Sequence, residues 1–192
     1  MTPSKVQLRA HMRQQRKAQD PAAQLAAANA VSDHITQLPG WPEASRIALY
    51  LANDGELGTS PVEALCRNEG KQLFLPVIKA NNELEFARWH TNVTLQVNRF
   101  GIPEPGADAE RCCASALDIV ILPLVAWDLQ GGRLGMGGGF YDKTLAGVHG
   151  PLLIGLAHTM QQVPYVPNDP WDVSMDFVVT DTALHCCKVD KN

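Results

Sequence analysis

Four glycines in five residues, Gly135, Gly137, Gly138 and Gly139, stand between a β-branched and leucine-rich run at residues 117–126 and a short helical stretch at 140–148. A strand, a glycine loop and a helix in that order point the chain to an α/β arrangement, with a tight turn whose amides stay uncovered. Such N–H groups converge readily on an anion at the start of a helix. Phosphate is the guest that fits. Arg133 brings a fork of donors for phosphate oxygens, and Asp142, just past Phe140 and Tyr141, is suited to a Mg2+ ion riding on them. The run matches neither common phosphate-loop pattern. A P-loop needs Lys and then Ser or Thr where Phe140 and Tyr141 stand, and the glycine spacing is not G-x-G-x-x-G. A plain strand-to-helix turn beside an exposed arginine is the alternative that glycine content alone leaves open.

The rest of the chain repeats the alternation of strand and helix. Asp20-Pro21 reads as an N-cap followed by proline at the first helical position, opening an Ala-rich helix that runs to Leu38. Thr59-Ser60-Pro61 opens another, which ends near Asn68. Strands are expected at 46–52, Gln72–Ile78, Leu84–Arg88, Leu152–Ala157 and Phe177–Thr180, with an extended loop at 101–106 whose two prolines fix φ. The pattern predicts an α/β fold, a three-layer αβα sandwich with a mainly parallel, Rossmann-like sheet and ligands at the carboxyl ends of its strands. Three acidic spots distant in sequence then share one edge: Glu56; Asp128 and Asp142; and the group Asp169, Asp172 and Asp176. A phosphate-bound Mg2+ takes one or two carboxylates and leaves water elsewhere, so Asp142 with one member of the last group suffices.

At 192 residues, 45% of them apolar and 19% charged, the chain is expected to form a single domain over 1–192. No apolar run approaches the length of a membrane span, and the first twenty residues lack the hydrophobic core of a secretory signal, so a cytoplasmic protein without a membrane partner is expected. Five cysteines, Cys66, Cys112-Cys113 and Cys186-Cys187, form neither a disulfide framework nor a standard zinc pattern and read as reduced thiols. Net charge is −4, yet Lys5, Arg9, Arg13, Arg16 and Lys17 all precede the first acid, Asp20. Lys5, Arg9 and Arg13 recur every fourth residue and share one face of a helix over 4–18. That positive stripe reads as a solvated helix face, an RNA-binding arm, or a surface reaching the phosphates of a small ligand. The acidic body and the lack of interleaved aromatics argue against nucleic acid.

Several stretches together resemble the 5-formyltetrahydrofolate cyclo-ligases, or 5,10-methenyltetrahydrofolate synthetases, of the bacterial type. They are Lys5-x-x-x-Arg9-x-x-x-Arg13, the segment from Ala48 to Glu56 followed by Thr59-Ser60-Pro61, the loop from Gly101 to Pro105, and Leu122-Pro123-x-x-Ala126-x-Asp128 leading to Arg-Leu-Gly-x-Gly-Gly-Gly-Phe-Tyr-Asp. Asp172-x-x-x-Asp176 completes the set. The resemblance implies ATP- and Mg2+-dependent conversion of 5-formyltetrahydrofolate to 5,10-methenyltetrahydrofolate. In the family's mechanism the formyl oxygen attacks the γ-phosphate, N10 closes the ring, and phosphate leaves. By the same resemblance ATP meets Lys5, Arg9, Arg133, Leu134, Gly135, Met136, Gly137, Gly138, Gly139, Phe140 and Tyr141, with Arg133 and Tyr141 as catalytic positions. The folate meets Arg9, Leu51, Glu56, Met136, Gly137, Gly138, Gly139 and Phe140, and the metal meets Asp142 and Asp172. A carboxylate at Glu56 suits the pterin's N–H groups, and an apolar neighbour suits its ring.

Two positions depart from the family pattern. Met136 stands where Tyr or Arg is common, leaving a thioether to pack on the ligand, and Trp171 replaces a frequent His, so no proton transfer is assigned there. Phe100 is expected in the core and His158 as a structural histidine. A non-catalytic folate or nucleotide binder that keeps the glycine cradle without turnover is the alternative function, and a phosphosugar isomerase would need a better-placed base than Glu56.

Overall fold

The structure, a computed structural model, describes residues 3–187. The expected 1–192 span thus includes residues 1–2 and 188–192, which lie outside the described part. Helix α1 (Lys5–Lys17) begins at a capping box in which Ser4 and Gln7 exchange side chain and backbone, and Arg16 and Lys17 stand in its last turn where the helix dipole favours cations. Helix α2 (Pro21–Ile35) starts at Asp20, whose carboxylate accepts from the Ala22 amide at 3.0 Å, with Pro21 in the first turn. It stops three residues before the expected Leu38. Strand β1 (Arg46–Ala48), helix α3 (Ser60–Asn68), β2 (Gln72–Ile78) and β3 (Leu84–Arg88) follow. Next come β4 (Leu95–Val97), β5 (Pro103–Pro105), β6 (Arg111–Cys112), β7 (Ile119–Leu122), β8 (Ala126–Trp127) and β9 (Arg133–Leu134). Helix α4 (Phe140–Leu145) and strands β10 (Leu152–Ala157), β11 (Phe177–Thr180) and β12 (Leu184–Cys186) end the described chain.

Eight strands form the main sheet in the order β12-β11-β10-β7-β1-β2-β3-β6. The five from β11 to β2 pair in parallel, while β12 on one side and β3 and β6 on the other are antiparallel. The predicted α/β class with a mostly parallel sheet is the observed one. Side chains alternate across the sheet. Ile47, Leu73, Ile119, Ile121, Ile154 and Val179 pack with Val31 and Ile35 of α2 and Val62 and Cys66 of α3 on one face. Ala48, Phe74, Val120, Leu122 and Val178 pack with Trp127, Met175 and Leu145 of α4 on the other. From β1 the chain crosses to β2 on one side, whereas β7 leads to β10 and β11 on the other, so the order reverses between β1 and β7. In open α/β sheets that reversal opens a ligand crevice at the carboxyl ends of the strands.

Strand β1 stops at Ala48, short of the expected residue 52, and three further elements differ from expectation. The run at 117–126 is not one strand: Pro123, without an N–H, follows the end of β7, and the chain resumes as the antiparallel hairpin β8–β9. The glycine loop therefore follows a hairpin strand and not a parallel one. The 101–106 loop contributes β5, which pairs with β4 as a separate ribbon. The helix at 140–148 is only the six residues of α4. So short a helix adds little dipole, and attraction for an anion there rests on side-chain charge and loop amides.

Candidate active site

Helix α1 lies on the hairpin through Leu8 and Met12, which pack with Val125, Ala126, Leu134, Val163 and Val166. That docking turns its cationic stripe toward three separate loops. The Lys5 ammonium bridges Asp169 and Asp172, 2.7 Å from each. Arg9 Nε donates to the Gly135 carbonyl at 2.8 Å. Arg13 forks onto Asp54, at 2.7 and 3.1 Å. The solvated-face reading of the stripe does not hold for these three residues.

Arg133, buried in β9, donates from Nη2 to Asp142 at 2.7 Å and lies over the Tyr141 ring, its Cζ 5.7 Å from the centroid. The same Asp142 oxygen accepts from the Val173 amide at 3.1 Å, which fastens the loop around Asp172 to the start of α4. Burial pushes the Asp172 carboxyl up, but the Asp169 amide, Lys5 and Arg133 more than offset it and hold the group below the usual carboxylate range. Between Leu134 and Phe140 the loop takes the positive φ that glycine supplies at Gly137 (100°) and Gly139 (67°). At Gly138 a Cβ would fall 2.4 Å from the Phe140 ring. Lys5, Arg9, Arg133, the loop, Asp142 and Asp172 thus form one cluster, with three cations and two carboxylates around a glycine-rich backbone.

The second half of the site follows β1. Tyr50 is buried, its hydroxyl donating to the Leu57 carbonyl at 2.9 Å, and Leu51 is partly exposed beside it. The chain then turns through Asn53 and Asp54, and the Glu56 carboxylate accepts from the Asn53 amide at 3.0 Å. Burial pushes the Glu56 carboxyl up, with Asp54 adding to it, against the pull of the Asn53 amide and Arg16. The Tyr141 phenol is pushed up by burial and by the Glu56 carboxylate, with Arg133 opposing. Tyr141 therefore stands between the two halves. Met136, 49% exposed, brings its sulfur to 3.9 Å from Arg16, whose same nitrogen lies 4.0 Å from Glu56.

Several expectations need correction. Phe100 is half exposed, and its ring meets Phe140 edge to face at a centroid distance of 5.6 Å, so it extends the apolar lip of the glycine loop and is not core. Asp128 is fully buried and holds the hairpin together by accepting from the Gln130, Gly132 and Val166 amides. Asp176 lies at the amino end of β11, its carboxylate accepting from the Leu153 amide. Neither joins the edge shared by Glu56, Asp142 and Asp172. His158 is buried, as expected of a structural residue, and Trp171 is 68% exposed. What the sequence reading missed is Arg16 and Asp54. Arg16 sits one turn past Met12 on the apolar face of α1, and that charge amid a Leu8, Met12, Arg16 stripe was the available signal. Among the described residues no group of three or more His, Cys, Asp or Glu side chains stands ready for a metal. No helix there is long and apolar enough to cross a membrane, and all five cysteines are free.

A model of the 5-formyltetrahydrofolate cyclo-ligase family matches residues 1–181. The chain belongs to that family. This cyclo-ligase is 37% identical over 178 residues to the 5-formyltetrahydrofolate cyclo-ligase of Escherichia coli strain K12, a match covering 90% of this chain and 98% of that protein. It is 36% identical over 179 residues to the Haemophilus influenzae cyclo-ligase, covering 91% and 96%. The NMR structure of Aquifex aeolicus 5,10-methenyltetrahydrofolate synthetase superposes with a TM-score of 0.84 at 31% identity, over 98% of this chain and 95% of that one. A synthetase from Mycoplasma pneumoniae, at 21% identity and a TM-score of 0.76 over 93% and 99% of the two chains, shares the fold. The activity of this cyclo-ligase is that of its family, formation of 5,10-methenyltetrahydrofolate from 5-formyltetrahydrofolate.

Proposed function

We propose that the chain, as one domain over 1–192, spends ATP to close the folate ring, holding the nucleotide's phosphates on the α1 and glycine-loop half and the folate on the Glu56 half. The supporting observation is the meeting of three cations at this edge, Arg9 on the Gly135 carbonyl, Arg133 on Asp142 and Lys5 on Asp169 and Asp172. Arg133 is buried and its Nε has no hydrogen-bond partner among the described residues, a deficit that a phosphoryl oxygen would complete. Two carboxylates beside that phosphate site suit Mg2+, whose remaining positions phosphate and water would fill, so Asp142 and Asp172 would hold it. When bound, the ion neutralises charge on the phosphoryl oxygens and orients them.

The chain's own groups do the rest. On the substrate side, the formyl oxygen of the folate attacks the γ-phosphorus, ADP leaves, N10 attacks the activated carbon, and phosphate departs as the ring closes. Charge develops on the transferring phosphoryl group in the first step, and Lys5, Arg9 and Arg133 are fixed donors around it, with loop amides adding to them. Tyr141, with its phenol held protonated, lies between Arg133 and Glu56 and is a donor at the junction of the two ligands. Glu56 accepts from the pterin's N–H groups, and Leu51, Met136 and Phe140 offer apolar surface to its rings. The free thiols suit a reducing, cytoplasmic compartment. The deciding experiment follows the methenyl chromophore in the near ultraviolet with 5-formyltetrahydrofolate, Mg2+ and ATP, against mixtures lacking ATP or Mg2+. Absorbance should rise only in the complete mixture, and an equal rise without ATP would overturn the reading.

A further inference from the structure

Arg16 is the one fully buried charged side chain among the described residues that the proposed chemistry leaves without a role, apart from Asp128 in its hairpin. Its guanidinium makes three different attachments. Nε donates to the Asp54 carbonyl at 2.8 Å, Nη1 to the Leu124 carbonyl at 3.2 Å, and Nη2 to the Asp54 carboxylate at 2.9 Å. Nη2 is also 4.0 Å from Glu56 Oε1 and 3.9 Å from the Met136 sulfur. One planar group therefore joins α1 to the turn after β1, to the bend after β7 and to the glycine loop. These are the two strand ends that flank the reversal of the sheet order.

The turn it holds is under local strain. Asp54 has φ 53° and is one of two non-glycine residues with positive φ among those described. Such backbone persists where the surroundings over-determine it. Arg13, Arg16 and Lys17 all reach the Asp54 carboxylate. At Gly55, next in the chain, a Cβ would lie 3.4 Å from Arg16 Cγ, from the Arg16 carbonyl and from Lys17 Cγ, so the turn is pressed against the helix.

We propose that Arg16 is the positioning residue of the folate half of the site, acting through the Asp54–Glu56 turn to set where the Glu56 carboxylate stands against the glycine loop. This rests on the assignment of Glu56 to the folate pocket. Lysine at this position keeps the charge but cannot reach the Asp54 carbonyl, the Asp54 carboxylate and the Leu124 carbonyl together. Arginine is needed for its shape. The groups facing Glu56 are Arg16 of α1, Asp54 and the Asn53 amide of its own turn, Tyr50 from the segment after β1, and Tyr141 of α4. Of these only Arg16 is cationic, so its loss leaves the burial of the Glu56 carboxylate opposed by the Asn53 amide alone.

The test compares Arg16→Lys, Arg16→Met, Glu56→Gln and the double variant Arg16→Lys/Glu56→Gln in steady-state assays of methenyl formation, with circular dichroism to check folding. In Arg16→Lys the KM for 5-formyltetrahydrofolate should rise about tenfold while the KM for ATP stays within about twofold, the effect of misplacing one charged hydrogen-bond acceptor. In Arg16→Met the acid limb of the folate kcat/KM profile should also move to higher pH, because the ionised form of Glu56 loses its cation. The double variant should be no worse than Glu56→Gln, since Arg16 acts through that group. Unchanged folate KM in Arg16→Lys, or an equal rise in both KM values, overturns the inference. Glu56→Gln separates the two layers. If it leaves folate KM unchanged, the pocket assignment itself fails; if it raises folate KM while Arg16→Lys does not, only the positioning role fails. Should the Arg16 variants not fold, Asp54→Asn carries the same expectation, a selective rise in folate KM, and no selective rise overturns it.

Discussion

Arg133 shows how a single side chain changes meaning between sequence and structure. Its position before the glycines marked it as a phosphate donor, but only the fold shows it buried, paired to Asp142, stacked on Tyr141 and still short of one partner. Lysine cannot replace that fork, so Arg133→Lys should lower kcat by about 10²-fold and Arg133→Ala by about 10³-fold, measured as methenyl formation at saturating substrates. Wild-type turnover in both would remove Arg133 from the chemistry. Asp142 and Asp172 were legible as acids in glycine-adjacent and late loops, whereas Asp128 and Asp176 looked equivalent to them. The difference is place: Asp128 is fully buried among three amides inside the hairpin, and Asp176 lies at the amino end of β11, away from the edge where Asp142 and Asp172 stand. Which end of a strand an acid occupies, and how deeply it is buried, is settled by the fold and by no residue count.

Helix α1 carries the basic stripe that its fourfold spacing predicts, yet what the stripe grips depends on where the helix docks. Its C-terminal end is held by ionic contacts to Asp54. Hydrogen bonding to Arg13 first, then Lys17 and Arg16, holds the Asp54 carboxyl far below the usual carboxylate range against the opposing effect of burial. A depressed folded-state value means that this stabilisation is present above the unfolded value, about 3.9, and is lost as pH falls through the folded one. Asp54→Asn should therefore cost about 3 kcal/mol at pH 7, since it strips a buried cation of its counter-charge, and the gap to wild type should shrink in strong acid. Urea denaturation at pH 7 and pH 2 checks this, and a gap independent of pH sinks the ionic account. The glycine loop is the other element whose sequence and structure diverge. Gly138→Ala has to displace the Phe140 ring, which a Cβ would meet at 2.4 Å, and should raise KM for both substrates severalfold with a stability loss of about 1 kcal/mol. Parallel kinetics and thermal melts would show otherwise if the binding constants hold.

At the scale of the whole molecule, the two half-sites hang from the carboxyl ends of β1 and β7, with α1 laid across both. Ligands seated there would tie the helix, the hairpin and the turn after β1 together. Saturation at about a hundredfold over Kd should add about 2.7 kcal/mol for a ligand, or about 5–10 °C in melting temperature. ATP with Mg2+ and 5-formyltetrahydrofolate should each raise the midpoint alone, and a midpoint blind to both would contradict the site. The alternation of β-branched runs with helical ones determined the α/β class, because periods of two and 3.6 residues are local properties of the chain. The glycine cluster and its neighbouring Arg and Asp likewise point, without a structure, to one half of the proposed site. Tertiary structure alone decided that Pro123 splits a long apolar run into a sheet strand and a hairpin, that Phe100 lies at the loop and not in the core, and that Arg16 is buried against Asp54 and Leu124. Those outcomes depend on which surfaces meet between residues apart in the chain, by 38 positions for Arg16 and Asp54 and by 108 for Arg16 and Leu124, and the burial that fixes each charge exists only once they have met.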